Sequence, residues 1–353
     1  MVRGHAMKWG RWALGGLAAV VAAGFALNYF RPDLFSLSLA PFAASCAKDD
    51  QIATRDRQAI NKVALEFASE MLGSDPGLAF DQMSRGTQAS TSRAQFLSLA
   101  KQLQSAGPFT DEKVTRTYLI KVVAFGADTG SRVPCGMFND YHEWDAVEVR
   151  GHENQAHVVI TANSGVNEYT FVVWLADTDR GWLINAFHAD MSRLVGRSAE
   201  DFWRKAKMFR AQGDALDAGL MYLAADKLLW RGPNFQPGLR TAFNKDRSSF
   251  SEPNEMKGAA PYHWVLDDQA YTVTQLNVTG TLGDGKLMLV INYDLVSWTS
   301  DEAADRQSRA LLTSYMKAHP NWGNAFDAIA AKASKPDHSG NFGTVYERDK
   351  GFL

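Results

Sequence analysis

The segment FVVWLADTDRGWLINAFHAD, residues 171–190, decides the fold class because two apolar runs flank a single polar turn. Residues 169–176 and 181–188 predict two strands, and DTDRG at 177–181 supplies the turn residues between them. Along the second strand successive side chains alternate between faces, so His188 shares a face with Trp182, Ile184 and Ala186. The segment therefore predicts a hairpin whose partly apolar face ends in a histidine.

Length and composition describe an ordinary folded protein of more than one domain. The chain has 353 residues, of which 46% are hydrophobic and 22% are charged, and its formal net charge is −2. Two domains are typical of this length, and the charge balance offers no basic surface for nucleic acid. The glycine-rich nucleotide motifs and the zinc-protease and esterase motifs do not occur in the sequence.

The N-terminal region contains an uncharged segment, WALGGLAAVVAAGFALNYF at residues 12–30, close to the roughly 20 residues that span a bilayer. Arg3, Lys8 and Arg11 precede it, which predicts residues 1–11 in the cytoplasm and the rest of the chain outside. We expect an uncleaved signal-anchor in an inner membrane. A cleaved signal peptide, a lipidated Cys46 and a buried core helix are the alternatives.

After a linker at residues 31–54, apolar residues at helical spacing predict three helices between residues 56 and 107. Period-two alternation then predicts strands at 114–125, 145–150 and 156–162, followed by the hairpin already described. Helices followed by a long antiparallel sheet, with Gly181-Trp182-Leu183-Ile184 in the last hairpin, resemble the nuclear transport factor 2-like, or ketosteroid-isomerase-like, cone fold. The resemblance covers residues 56–195 and implies an α+β domain at 55–197.

Residues 198–240 predict a helical hairpin that begins at a cap formed by Ser198 and Asp201. Its large and small packing residues resemble a single tetratricopeptide repeat unit, from which Lys205 and the late Pro233 depart. Because one such unit has no stacked neighbours to bury its core, we expect it to pack on a neighbouring domain. The packing residues are Phe202, Ala206, Phe209, Gly213, Ala218, Tyr222 and Ala225.

Residues 261–353 predict a second, smaller α+β domain that resembles no known family. Strands are expected at 271–282 and 287–298, and alternate residues from Leu287 to Leu295 should form a core face. A helix should begin after Ser300 and end near Ala318. We expect a shorter helix to hold Phe326, Ile329 and Ala330, and the tail at 339–353 to add an edge strand.

The cone resemblance implies a pocket that could hold a carboxylate base and proton donors. Asp140, His142 and Asp145 are further polar candidates near the predicted strands. Sequence alternation favours His188 as a structural residue at the rim of a half-buried sheet over His188 as a catalytic base. The residues predicted to line the pocket are Tyr118, Tyr141, Tyr169, Trp182 and His188.

Three other groups of residues are candidates for functional or structural sites. His142, Glu143, His152 and His157 fail the spacing of a metal centre, so no metal or cofactor is predicted. The two cysteines, Cys46 and Cys135, form a disulfide if the region is extracytoplasmic, and two unpaired thiols are the alternative. A basic patch of the helical hairpin is either a solvated helix face or a surface for an acidic partner or lipid headgroups. It comprises Arg204, Lys205, Lys207 and Arg210.

These patterns predict a membrane-anchored periplasmic binding or scaffold protein without enzymatic activity, contacting the bilayer through one helix and a protein partner or a second copy of itself. An anchor followed by a cone-like domain also resembles the inner-membrane scaffold component of type IV secretion systems over residues 12–195. The alternative is a small-molecule isomerase or hydrolase that uses the cone pocket.

Overall fold

The computed structural model describes residues 44–122, 131–151, 154–280 and 285–353. It is a mixed α+β protein with two compact units. Unit 1 comprises the described residues up to Gly165, with Tyr169–Asp190 and Arg231–Gly238, and unit 2 comprises Val166–Glu168, Met191–Trp230 and Leu239–Leu353. The predicted membrane segment at 12–30 lies outside the described residues. Among the residues that are described, no helix combines the length and apolar character needed to cross a membrane.

Four helices form the first part of unit 1 as described, one more than the three that the apolar spacing predicts. Side-chain oxygens cap three of them, with Asp75 accepting from the Gly77 amide, Ser84 from Thr87 and Ser92 from Gln95. The caps satisfy amides that have no partner inside a helix, which is why these helices begin where they do. The helices are α1 (Thr54–Leu72), α2 (Pro76–Asp81), α3 (Arg85–Ser90) and α4 (Arg93–Gln104).

A curled antiparallel sheet follows, and the hairpin predicted at residues 171–190 is confirmed. Its first strand, Ala44–Lys48, lies inside the segment predicted as a linker and pairs with the strand that follows α4. In spatial order the strands are β1 (Ala44–Lys48), β2 (Thr110–Val122), β5 (Gln155–Ser164), β6 (Asn167–Thr178), β7 (Gly181–Leu194) and β8 (Arg197–Ser198).

A small second sheet belongs to unit 1 and shares an apolar cluster with β2, β5 and β6. Tyr118, Val147 and Phe235 are buried together in this cluster. The small sheet consists of β3 (Ser131–Gly136), β4 (Trp144–Val149) and β9 (Phe235–Pro237), in that order.

Phenylalanine rings fill the space between the helices of unit 1 and strand β7. The Phe187 ring centroid lies 5.2 Å from that of Phe67 and 5.7 Å from that of Phe96. Phe80 adds a third helix contact, with its ring 5.6 Å from Phe96. Since aromatic rings at these separations are in van der Waals contact, this side of the sheet is a packed core.

Unit 2 contains the predicted helical hairpin, formed by α5 (Ala199–Ala211) and α6 (Ala215–Leu229). The capping box between Ser198 and Asp201 is confirmed. Five of the predicted packing residues, Phe202, Ala206, Ala218, Tyr222 and Ala225, are fully buried, and Phe209 is nearly so. Gly213 lies in the turn with a φ of 78°, a conformation that favours glycine.

The remainder of unit 2 is a six-stranded sheet with helices α7 (Gly238–Arg247), α8 (Asp301–Ala318) and α9 (Trp322–Ala325). The expected core face of Leu287, Leu289, Ile291 and Tyr293 is confirmed, because all four are fully buried. The strands, in order, are β10 (Tyr262–Leu266), β11 (Gln269–Gly280), β12 (Leu287–Asp294), β13 (Ala328–Ser334), β14 (Asn341–Glu347) and β15 (Gly351–Phe352).

The helix predicted around Phe326, Ile329 and Ala330 is wrong. Ile329 and Ala330 belong to β13, which pairs in parallel with β12, while α9 ends at Ala325. A strand buried on both faces shows a continuous apolar run instead of alternation, and spacing alone does not separate such a run from a short helix. The strand expected in the tail is present as β14, which also pairs with β15 at the edge of the sheet.

Candidate functional site

Tyr118, the first predicted pocket residue, belongs to a closed polar cluster in unit 1. Its hydroxyl donates to the carboxylate of Asp145, which also lies 2.7 Å from the Arg116 guanidinium. The Gly238 amide donates to the second carboxylate oxygen over 3.3 Å. Burial raises the pKa of Asp145, and the charge of Arg116 and the two donors oppose that rise.

The contacts of this cluster are typical of polar groups that hold a fold together. Tyr118 is fully buried, and burial together with the Asp145 charge raises its pKa far above the ordinary tyrosine value. A carboxylate that already accepts from a guanidinium, a hydroxyl and an amide has little remaining capacity for a substrate proton. The group therefore joins β2, β4 and the residue after β9.

Tyr141, Tyr169 and Trp182 lie in three different environments. The Tyr141 side chain is exposed in the loop between β3 and β4. Tyr169 is buried with its ring 5.1 Å from that of Phe109, and burial and the nearby Asp190 raise its pKa to about 12. Trp182 is half-buried near the start of β7.

His188 is half-buried beside a very small void of about 10 Å³. Its Nε2 lies 3.4 Å from an Asp190 carboxylate oxygen. Gly232, whose φ is 83°, approaches so closely that a Cβ there would lie 2.6 Å from the His188 ring. A void of this size holds about one water molecule, so it has no room for an organic substrate.

His157 lines the same void and is fully buried against Trp174, with ring centroids 5.3 Å apart. Its Nε2 lies 2.8 Å from the Glu148 carbonyl oxygen, and burial lowers its pKa to about 4. The imidazole is therefore neutral near pH 7, where its Nε2–H donates to that carbonyl. His157 acts as a packed core residue.

No described cavity brings the five predicted pocket residues together. Tyr118 belongs to the apolar cluster shared with the small sheet, and His188 lines the small void. Tyr169 packs on Phe109, and Tyr141 faces solvent. Within the described residues, no group of three or more His, Cys, Asp or Glu side chains is placed to hold a metal ion. His152, one of the histidines considered for metal, lies outside the described residues.

The four residues of the predicted basic patch have separate surroundings. The Arg204 guanidinium lies 3.3 Å from the Asp201 carboxylate, and the Lys207 ammonium lies 4.7 Å from the Trp203 ring centroid. Arg210 donates to the Ser249 hydroxyl over 3.0 Å. Lys205 is half-buried, and burial lowers its pKa, with the positive charge of Arg197 adding to the shift.

Cys46 and Cys135 form a disulfide in the structure, with their Cα atoms 5.5 Å apart. The bridge connects β1 to β3 and closes a sequence separation of 89 residues. Cys135 is fully buried within the apolar cluster around Tyr118. The bond therefore ties the residues nearest the N-terminal region to the core of unit 1.

An open pocket of about 380 Å³ lies within unit 2. It lies where the turn between α5 and α6, the short helical turn at 254–256 and the end of α8 converge. Its volume falls within the range that accommodates small molecules. The lining residues are Gln212, Gly213, Asp214, Ala215, Leu216, Pro253, Glu255, Ala318, His319, Pro320 and Asn321.

Two carboxylates and one imidazole determine the electrostatics of this pocket. Asp214 caps α6 by accepting from the Asp217 amide over 3.2 Å. The Glu255 side chain has no hydrogen bond or ion pair with any residue that the structure describes. Burial lowers the pKa of His319, while the negative charges of Glu255 and Asp214 oppose the shift. The three groups are therefore close enough to interact.

Asp217 and Tyr315 lie behind the pocket wall. Asp217 is buried, and burial together with the charge and hydrogen bond of Asp214 raises its pKa to about 8. Tyr315 is fully buried with its ring 4.8 Å from that of His319, and its hydroxyl has no hydrogen-bond partner among the described residues. The pocket therefore lies beside two buried polar groups, the Asp217 carboxyl group and the Tyr315 hydroxyl, whose polar interactions within unit 2 are incomplete.

Sequence reasoning missed this pocket entirely. In the sequence, Asp214 matches the pattern of an ordinary helix cap. Glu255 and His319 occur singly in segments about 40 and 100 residues further along the chain. One signal was available, since Asp214 and Asp217 place two acids in the first turn of an otherwise apolar helix. That pattern indicates negative charge near a helix start, but it does not identify the partners that the fold brings there.

Comparison of the chain with protein-family models, with curated proteins and with solved structures found no match.

Proposed function

We propose that this chain is a membrane-anchored extracytoplasmic binding or scaffold protein, with unit 1 as a rigid framework and unit 2 as the binding part. The pocket of about 380 Å³ in unit 2 is the observation that supports a binding function most directly. It is open, and it combines apolar, amide and carboxylate groups, as small-molecule sites do.

The extracytoplasmic location is supported by the sequence and by the disulfide. Residues 12–30 are long and apolar enough to cross a bilayer, and the preceding basic residues favour a cytoplasmic N-terminus. Disulfides persist in oxidising compartments and are rare in the cytosol, so the Cys46–Cys135 bridge fits a chain that lies outside the cytoplasm.

A framework role for unit 1 is supported by how its interior is filled. Phe67, Phe96 and Phe187 fill the space between the helices of unit 1 and strand β7. The void that His188 lines is about 10 Å³. These contacts favour binding over the isomerase or hydrolase alternative.

Two family resemblances belong to this proposal. Helices α1 and α4 on a curled antiparallel sheet support a nuclear transport factor 2-like fold for residues 55–197. The buried large and small residues of α5 and α6 support a tetratricopeptide-like hairpin. A framework of this kind suits a component of an envelope assembly that contacts a protein partner or a second copy of itself.

The test is to fuse a reporter that is active only outside the cytoplasm after Leu353, and to extract membranes with alkaline carbonate. We expect an active reporter, retention of the protein in the membrane pellet, and recovery of a defined complex after cross-linking in intact cells. A second fusion carrying a reporter that works only in the cytoplasm is the control. Activity of that second fusion, or release of the protein by carbonate, would contradict the proposal.

A further inference from the structure

The residues that line the pocket of unit 2 carry more negative than positive charge. Its lining includes the carboxylates of Asp214 and Glu255 but contains no lysine or arginine. Each carboxylate is half-buried, so its charge is only partly screened by water. The potential inside the pocket is therefore negative, which attracts cations and repels anions.

A second feature of this region is a buried hydroxyl beside the pocket wall. The hydroxyl of Tyr315 is fully buried and makes no hydrogen bond to any described residue, although buried hydroxyls nearly always have a partner. The ring of Tyr315 lies 4.8 Å from that of His319, which lines the pocket. The pocket wall is therefore backed by a polar group that has no hydrogen-bond partner among the described residues.

We propose that this pocket binds a small organic cation, whose ammonium group lies between the carboxylates of Asp214 and Glu255. The inference rests on the proposed binding function and specifies the ligand class for it. An ammonium group donates three hydrogen bonds and pairs with carboxylates, matching the acceptors present.

The other residues that line the pocket indicate the chemistry of the rest of the ligand. Leu216, Pro253 and Ala318 offer apolar contacts to a short hydrocarbon chain, and the amides of Gln212 and Asn321 offer hydrogen bonds to a second polar end. The imidazole of His319, with its pKa lowered by burial, is a neutral acceptor or donor near pH 7. A bare metal ion fits less well, because such sites require more converging ligands than two carboxylates.

The experiment is isothermal titration of the full-length protein, solubilised in a neutral detergent at low ionic strength, with 1,5-diaminopentane as the probe. The neutral isostere 1,5-pentanediol tests whether charge is required. We expect one diamine per chain, no detectable diol binding, and weaker diamine binding as salt is added.

Three variants locate the site. Asp214→Asn retains a helix cap while removing the charge, and Glu255→Gln retains the backbone carbonyl that accepts from the Trp264 indole. Each should weaken diamine binding by about fivefold or more, as loss of one of two charge partners does. Asp268→Asn, an exposed site with a φ of 62° that asparagine tolerates, should leave binding unchanged.

Circular dichroism and thermal unfolding establish that each variant folds. No diamine binding, equal binding of diamine and diol, or equal affinities in all four proteins would each overturn the cation proposal. A failure here, with membrane anchoring and the cross-linked complex intact, would leave the general binding function standing and reject only this ligand class. Loss of the anchoring or the complex would reject the function itself.

Discussion

A buried carboxyl group has different surroundings in the two units. In unit 1, Asp145 is surrounded by the Arg116 guanidinium, the Tyr118 hydroxyl and a backbone amide. In unit 2, Asp217 is buried beside a second carboxylate, Asp214, and its pKa rises to about 8. A buried carboxylate with a full set of donors stabilises a framework, whereas Asp217, with its raised pKa, holds its proton near pH 7 and leaves the negative charge of the pocket to Asp214 and Glu255.

The same contrast extends to packing. Unit 1 fills the space between helices and sheet with phenylalanine rings, while unit 2 leaves an open pocket next to its acidic residues. The proposed function assigns stability to unit 1 and binding to unit 2, so variants in each unit should affect different measurements.

The largest effect is expected from Phe96→Ala. Phe96 is nearly fully buried and contacts the rings of Phe67, Phe80 and Phe187. Removing such a ring typically lowers the free energy of unfolding by about 3–5 kcal/mol. Denaturant unfolding measures the change, with the exposed Val265→Ala in unit 2 as the control. A loss below about 1 kcal/mol would show that this region is loosely packed and open to a ligand.

The next largest effect is expected from replacing both Cys46 and Cys135 by serine. The bridge closes a separation of 89 residues, and removing such cross-links typically costs about 2–4 kcal/mol of stability. Thermal unfolding of wild type and the double variant measures the loss, and reductant should lower only the wild-type midpoint. Complete alkylation of both thiols in unreduced membranes would contradict the bridge.

A smaller effect concerns the pH dependence of Asp217. Because its folded pKa of about 8 exceeds the value near 4 of an unfolded aspartate, the folded protein retains a proton that the unfolded chain has released. The free energy of unfolding should therefore fall as pH rises from about 4 to about 8, by at most about 1.4 kcal/mol per pH unit.

Asp217→Asn should remove this slope and increase stability most above pH 8. Denaturant unfolding of both proteins across this pH range gives the difference profile, which isolates Asp217 from groups such as His157. Parallel profiles in the two proteins would mean that Asp217 is ionised throughout this pH range and that its pKa is not raised in the folded protein.

The smallest effect is expected from His188→Gln. Glutamine retains hydrogen bonding at the small void and removes titration near neutral pH, so stability, abundance and cellular function should match wild type. Growth assays and membrane yields measure this. A folded variant that has lost its function would return the enzyme hypothesis to unit 1.

Much of the architecture was predictable from local patterns. The hairpin at 171–190, the cap at Ser198 and the core face of β12 follow from alternation and capping chemistry, which act over a few residues. The residues at 328–334 were mistaken for part of a helix because an alanine-rich run favours helix locally, and parallel pairing with β12 overrides that preference.

The candidate site was not predictable for a related reason. Asp214, Glu255 and His319 come together only after the helical hairpin and the end of α8 have folded within the same unit. The resemblance to a cone fold directed attention to Tyr118 and His188, where the structure has filled the space with side chains. Local patterns identify elements, and long-range packing decides where a cavity remains.

Hydrogen exchange of the full-length protein with and without 1,5-diaminopentane tests the division of roles most directly. Binding in the pocket of unit 2 should slow exchange at residues 212–216, 254–256 and 318–322, since a ligand that binds the folded state protects the amides around it. Exchange across β2, β6 and β7 of unit 1 should not change. Protection around Tyr118 and His188, with none at residues 212–216, would contradict the account.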